Sequence, residues 1–324
     1  MSENLLEIEH LKQYFPVAGS RKTVKAVDDV SFFIRKGETF GLVGESGCGK
    51  TTTGRSILRL TEPTAGKIVY DGNVIFDSES GKKADMLPYR RKMQIVFQDP
   101  YSCLNPRLSV SKLIAEPLIV NNVYSSSAEV HRRVEELMDI VGLARRLTNS
   151  YPHELDGGRR QRIGIARSLA LSPEFIVLDE PVSALDVCIQ AQVLNLLSDL
   201  KKEFGYTYVF ISHNLSVVKH VSDRIAVMYL GQIVELSDFR IIFKNAMHPY
   251  TMALLSAIPV PRYGHRRKEI ILEGDVPSPI NPPEGCRFAG RCIHVKERCT
   301  RETPKLREVE PGHFVRCHFA GQLA

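Results

Sequence analysis

Gly44-Glu45-Ser46-Gly47-Cys48-Gly49-Lys50-Thr51 reads G-x-x-x-x-G-K-T, the pattern of a phosphate-cradling P-loop. Just before it, Thr39-Phe40-Gly41-Leu42-Val43 is short and apolar, which predicts a buried strand. Just after it, Thr52 to Leu60 carries apolar residues at helical spacing. The motif thus has the strand–loop–helix setting that its chemistry needs. Glycines let successive backbone N–H groups turn inward, with the helix N-terminus behind them. Lys50 brings a mobile positive charge for β- and γ-phosphates, and Thr51 a hydroxyl for Mg²⁺. The competing reading is a chance Gly-rich turn, which the flanking context argues against.

The chain has 324 residues, 43% of them apolar and 25% charged, enough for one large domain plus an appendage. Its net charge of +6 is spread without a long Lys/Arg run, so a solvated surface is preferred to nucleic-acid binding. No stretch approaches the ~18 continuous apolar residues of a membrane span. The start, Met1-Ser2-Glu3-Asn4, lacks a signal-peptide pattern, which predicts a cytosolic protein. Of seven cysteines, Cys48, Cys103 and Cys188 are scattered and read as small buried or loop residues. The other four crowd near the C-terminus, and in a reducing compartment such a cluster reads as a metal site before disulfides.

Leu5 to Leu11 alternate as a strand ending near Tyr14 and Phe15, and Val27 to Ile34 form a second. Lys67 to Tyr70 and Asn73 to Phe76, joined by Asp71-Gly72, predict a hairpin, so the N-terminal layer is antiparallel. Met93 to Gln98 is a strand ending in a polar amide. From about residue 109 to 170 the spacing is helical, with Val130, Val134, Leu137, Met138 and Val141 on one face, a separate insertion.

Phe175-Ile176-Val177-Leu178-Asp179-Glu180 places two carboxylates at the C-terminal end of a buried strand, where open α/β sheets bind ligands. With a P-loop upstream, Asp179 is expected to hold Mg²⁺ and Glu180 to orient and deprotonate the attacking water. The alternative is a solvated strand end. Tyr206 to His213 is another buried strand, whose terminal His213 can hydrogen-bond a γ-phosphate. Arg224 to Tyr229 and Gln232 to Glu235 predict a hairpin about Leu230-Gly231. Beyond Ser237, Pro259, Pro261, Pro277, Pro279, Pro282 and Pro283 punctuate a tail read as a linker or extended wrap.

Leu155-Asp156-Gly157-Gly158-Arg159-Arg160-Gln161-Arg162 stands between the insertion and Asp179. Together with the P-loop, Gln98, Ser183-Ala184-Leu185-Asp186 and His213, it resembles the ATPase subunit of an ABC transporter over residues 5 to about 240. The runs Asp179 to Asp186, Val96 to Arg107 and His248-Pro249-Tyr250-Thr251 look like the oligopeptide/dipeptide importer branch, F-type subunit.

The resemblance implies a P-loop NTPase of α/β class. It would have a RecA-like parallel core, an antiparallel β subdomain and a helical subdomain at about 105–170 inside an ATPase domain of residues 1–240. Residues 241–324 would be a cysteine-rich extension.

It implies ATP and Mg²⁺ held by Gly44 to Thr52, Gln98, Asp179, Glu180 and His213, with Tyr14 or Phe15 stacked on adenine. Core packing is the other reading of those two rings. It also implies a peripheral place on the cytoplasmic face of the membrane, a second ATPase as heterodimer partner, two permeases touched by Gln98 and the segment after it, and an extracytoplasmic peptide-binding protein. Each ATP would lie between one chain's P-loop and the other's signature loop.

The signature departs from L-S-G-G-Q at Asp156 and Arg159. A carboxylate cannot donate to a γ-phosphate and adds like charge, although Gly157, Gly158 and the helix end remain and Arg159 offsets some repulsion. One of the two ATP sites is therefore expected to be impaired. The alternative is that Asp156 turns aside and both sites work.

Cys286, Cys292, Cys299 and Cys317, separated by five, six and seventeen residues, can hold a 4Fe–4S cluster or zinc. Similar sets in peptide-importer ATPases resemble iron–sulfur ligands, so the cluster is preferred over zinc and over free thiols. His294, His313 and His318 are read as surface residues rather than substitute ligands. Other readings are an importer of another solute such as nickel, or a soluble ABC ATPase outside transport.

Overall fold

The computed structural model describes residues 3–258 and 270–322. Met1, Ser2, Pro259 and Pro261 lie outside the described residues. The chain divides into two compact units, residues 1–84 with 212–324, and residues 85–211.

In the first unit a five-stranded antiparallel sheet runs in the order Thr23–Arg35, Asn4–Pro16, Ala65–Tyr70, Asn73–Asp77 and Lys82–Lys83. Asp71 and Gly72 both take positive φ, at 46° and 75°, the backbone a two-residue hairpin demands. Strand Thr39–Val43 is wholly buried and runs parallel to Arg224–Tyr229. The latter pairs antiparallel with Gln232–Asp238, as the sequence predicts.

The tail departs from a simple linker. Helices Phe239–Lys244, Pro249–Ser256 and Glu297–Arg301 form there, and a hairpin of Arg307–Glu310 with His313–Val315 adds antiparallel to Gln232–Asp238. Pro249 starts a helix rather than stopping one, because the first helical position needs no N–H. Around Pro279 the tail lies against strand Thr23–Arg35, with Pro279 O accepting from Lys25 N at 3.0 Å and Ile280 bridging Val24.

Beside the apolar cluster of Met247, Val315 and Ala320, this tail buries a polar pair that an apolar-run reading does not find. His313, expected at the surface, is fully buried and lies 2.8 Å through Nε2 from Glu235 Oε1. Glu235 is itself fully buried and accepts from the N–H groups of Met247 and His248 at 2.7 and 3.1 Å. A buried carboxylate is tolerated when donors converge on it in this way.

The second unit contains parallel strands Met93–Val96, Phe175–Asp179 and Thr207–Ser212, the last ending as the chain leaves the unit. Helices Val110–Val120, Ser127–Ile140 and Gly157–Leu169 make the helical portion. Val134, Leu137, Met138 and Val141 are buried as their spacing predicts, and Val130 half-buried. Ser126 and Glu129 close a reciprocal capping box at the start of Ser127–Ile140. Cys188, expected in a buried or loop setting, is exposed on the first turn of helix Val187–Phe204.

Candidate active site

The P-loop joins strand Thr39–Val43 to helix Lys50–Ile57 through three positive-φ glycines, Gly44, Gly47 and Gly49, at 154°, 78° and 107°. Two of them also lack room. A Cβ on Gly44 would stand 2.1 Å from Met228 O, and one on Gly49 2.1 Å from Ala26 O. Lys50 is 5% exposed, and its Nζ donates to Gly44 O at 2.8 Å and Glu45 O at 3.0 Å. Thr51 and Thr52 are half-buried on the first helical turn, and Ser46 is exposed at the crest of the loop. Burial pushes the Cys48 thiol pKa up, so this cysteine is a packing residue.

Glu45 is held at three points. Its N–H donates to the Tyr250 hydroxyl at 2.9 Å, its carbonyl accepts from Lys50, and its carboxylate accepts from Arg291 at 2.9 and 3.3 Å. Neither Tyr250 nor Arg291 stood out as a site residue in the sequence. The only signal was the short His248-to-Thr251 run, which says nothing about what the tyrosine touches.

Tyr14 donates its hydroxyl to Asp28, which also accepts from Arg287. Phe15, next to it, is 38% exposed. His213 is exposed just after strand Thr207–Ser212.

In the second unit, Asp179 is 1% exposed at the end of its strand. Glu180 follows with a left-handed backbone, φ 47°, and its N–H donates to Ile211 O at 3.0 Å. Gln98 Nε2 donates to Glu180 Oε2 at 3.0 Å. The structure therefore brings together two of the residues singled out from sequences 82 positions apart.

Asp156 caps helix Gly157–Leu169, accepting from Arg159 N at 2.8 Å, with the Arg159 guanidinium 3.4 Å from its other oxygen. Both side chains remain about half exposed. Gly158 packs so closely that a Cβ would meet Ile189 Cγ2 at 2.5 Å. Ile189 lies on helix Val187–Phe204, whose N-terminus Asp186 caps by accepting from Ile189 N at 3.0 Å. Gly157 and Leu185 are neighbours at the same crossing.

The four C-terminal cysteines line one small cavity of about 20 Å³, walled by Phe288 and Phe319. None of the four is paired in a disulfide. Burial, reinforced by the neighbouring cysteines, pushes Cys286 up to about 11 and raises Cys292 and Cys317. Among the described residues, no group of three or more His, Cys, Asp or Glu is arranged to hold a metal ion. No helix among them is long and apolar enough to cross a membrane.

Comparison with known proteins shows the family. The family profile described as ABC transporter matches residues 27–183, and that of the oligopeptide/dipeptide transporter C-terminal region matches residues 234–299. The chain is 51% identical over 317 residues to the putative oligopeptide transport ATP-binding protein YkfD of Bacillus subtilis, covering 97% of this chain and 95% of that one. It is 52% identical to the oligopeptide transport ATP-binding protein OppF of the same organism, covering 98% and 97%. The chain belongs to the oligopeptide/dipeptide branch of the ABC transporter ATPases.

The fold agrees as well. The dimeric post-hydrolysis structure of the ATP-binding cassette MJ0796, bound to ADP and Pi, is 29% identical with a TM-score of 0.63, covering 72% of this chain and 99% of that one. The chain is thus a P-loop NTPase with mixed α/β sheets, and an ATPase whose hydrolysis is coupled to transport. Its second profile match ends within the cysteine-bearing region, at residue 299.

Proposed function

We propose that this ABC ATPase is one of two motors of an importer for oligopeptides or dipeptides, seated on the cytoplasmic face of the membrane. The observation that carries the catalytic part is the Gln98–Glu180 hydrogen bond beside buried Asp179, in a chain that also carries a complete P-loop. The relatives' names support the peptide cargo.

The backbone amides of Gly47 to Thr52 would take the triphosphate, and Lys50 its β- and γ-oxygens. Tyr14 and Phe15 are the candidates to stack on adenine. With the Tyr14 hydroxyl committed to Asp28, the exposed Phe15 is the freer of the two. Thr51, Gln98 and Asp179 offer the hard oxygen donors that suit Mg²⁺, which would supply positive charge against the phosphate oxygens. Glu180 would take a proton from the attacking water while Gln98 steadies its carboxylate, and His213 would hydrogen-bond the γ-phosphate.

The second ATPase would cover this chain's ATP with its own signature loop. Gly157, Gly158 and Asp186 would in turn meet the partner's nucleotide. There Asp156 puts a carboxylate where a donor is wanted, so the partner's ATP should turn over slowly. The dimeric state of the MJ0796 cassette supports such closure.

The permeases would dock in a largely apolar cavity of about 460 Å³ lined by Phe97, Leu104, Val120 and Leu171, rimmed by Arg90 and Glu116. Residues 1–240 would form the ATPase domain, and residues 241–324 the importer-type extension. The donor chemistry of Cys286, Cys292, Cys299 and Cys317 suits a 4Fe–4S cluster, with zinc second. That group would cross-link a segment with a small core of its own.

The test is reconstitution of this chain with its companion ATPase, two permeases and binding protein in proteoliposomes. ATP-dependent uptake of labelled peptide, abolished by Lys50→Ala, is expected. Uptake of nickel in place of peptide would overturn the cargo assignment.

A further inference from the structure

Among the described residues, Tyr250 and Arg291 of the C-terminal region reach the P-loop, and both grip Glu45. Tyr250 is fully buried, and its hydroxyl accepts the Glu45 N–H at 2.9 Å. Arg291 donates to both carboxylate oxygens of Glu45, and its own side chain is only 10% exposed. The Glu45 carbonyl in turn holds Lys50 Nζ at 3.0 Å. Behind this clasp, Phe288 packs against Tyr250 and Tyr229 with ring centroids 5.5 and 5.2 Å apart.

We infer that Arg291 and Tyr250 are positioning residues for nucleotide binding, through which the C-terminal region sets the affinity of the P-loop for ATP. Two physical effects run in the same direction. The loop relies on three positive-φ glycines, so its backbone is free to wander unless something outside it fixes its path. A loop already held in place loses less conformational entropy when the triphosphate arrives. Glu45 also places a carboxylate at the mouth of a site that takes a polyanion. The Arg291 guanidinium cancels that charge with a paired, two-point contact. Neither residue touches the reacting atoms, so the clasp acts on binding and not on the cleavage step.

The inference rests on the nucleotide reading of the P-loop, and the experiment separates the two. Binding of the fluorescent analogue trinitrophenyl-ATP to the full chain gives Kd, and the assembled transporter gives KM and kcat for ATP. Lys50→Ala tests the underlying reading, because binding that survives it would remove the site itself. With that control in place, Arg291→Gln should raise Kd and KM about five-fold while kcat stays within about two-fold, the scale of losing one largely buried ion pair.

Arg291→Lys should recover part of the affinity, and Tyr250→Phe should weaken binding in the same sense. Glu45→Gln combined with Arg291→Gln should be no worse than Arg291→Gln alone. Should Arg291→Gln fail to fold, Tyr250→Phe frees the same loop at the Glu45 N–H and should still raise Kd. Unchanged Kd and KM in these variants, or a fall in kcat without a change in KM, would overturn the inference.

Discussion

The side-chain amide of Gln98 donates to the carboxylate of Glu180 across 3.0 Å, and Glu180 presents that carboxylate from a left-handed backbone at φ 47°. A non-glycine residue in that region is uncommon and costs free energy, so the surroundings must hold it there. Ile211 O and the Ser183 N–H and hydroxyl do so, the first accepting from Glu180 N and the other two donating to Glu180 O.

Glu180→Gln keeps the shape of that turn and removes the base. Phosphate release by the assembled transporter should fall by about 10²-fold or more, while ATP affinity is retained. Equilibrium nucleotide binding and a phosphate-release assay on the same preparation check both halves. A rate close to that of the unaltered protein would remove Glu180 from its proposed role.

Asp156 serves two ends at once, and two substitutions separate them. Asp156→Ala discards the cap on helix Gly157–Leu169 and should cost about 1 kcal/mol in denaturant unfolding. Asp156→Ser keeps a capping oxygen and restores a donor, so it should raise ATP turnover at the partner's P-loop. The readout is turnover with and without a glutamine at the partner's catalytic glutamate. Equal sensitivity of both sites before and after the change would sink the asymmetry.

Gly158 has no space for even one methyl group, since its Cβ would sit 2.5 Å from the β-branch of Ile189. Gly158→Ala should destabilise the chain by about 1–3 kcal/mol. In an Ile189→Ala background the same change should cost measurably less, because the obstructing carbon is gone. A thermodynamic cycle from urea unfolding measures the difference.

The four cysteines can be tested by colour and by metal content. Anaerobically purified protein should absorb broadly near about 400 nm and contain iron and sulfide. Serine at Cys299, the buried member of the set, should bleach that absorbance and lower the thermal midpoint. Stoichiometric zinc in colourless protein would replace the cluster with the second candidate.

Much of the nucleotide machinery was legible because its signals are local. Glycines at positive φ, a lysine after them and two acids closing an apolar run each state their purpose within a few residues. The strands on either side alternate or run apolar in the ordinary way, and the Asp71-Gly72 turn carries its own hairpin chemistry. The tail resisted for the opposite reason. Its folding depends on contacts across long sequence separations, such as His313 with Glu235, 78 residues apart, and Arg291 with Glu45, 246 apart. Charged partners like these look like surface residues until the chain brings them together. Pro277, Pro279, Pro282 and Pro283 do lie outside helices and strands, so it is the segments on either side of them that the linker reading missed.

The hairpin Arg307–Glu310 with His313–Val315 lies along the outer side of Gln232–Asp238. Trimming the gene just past residue 240 to obtain a minimal catalytic fragment would strip that cover away. The bared strand would offer open N–H and C=O groups to any neighbouring molecule, and Glu235 would lose its partners on His313, Met247 and His248. Such a fragment should clump during purification, whereas the full chain, in which the Arg316 N–H donates to Val234 O at 2.8 Å, should stay dispersed.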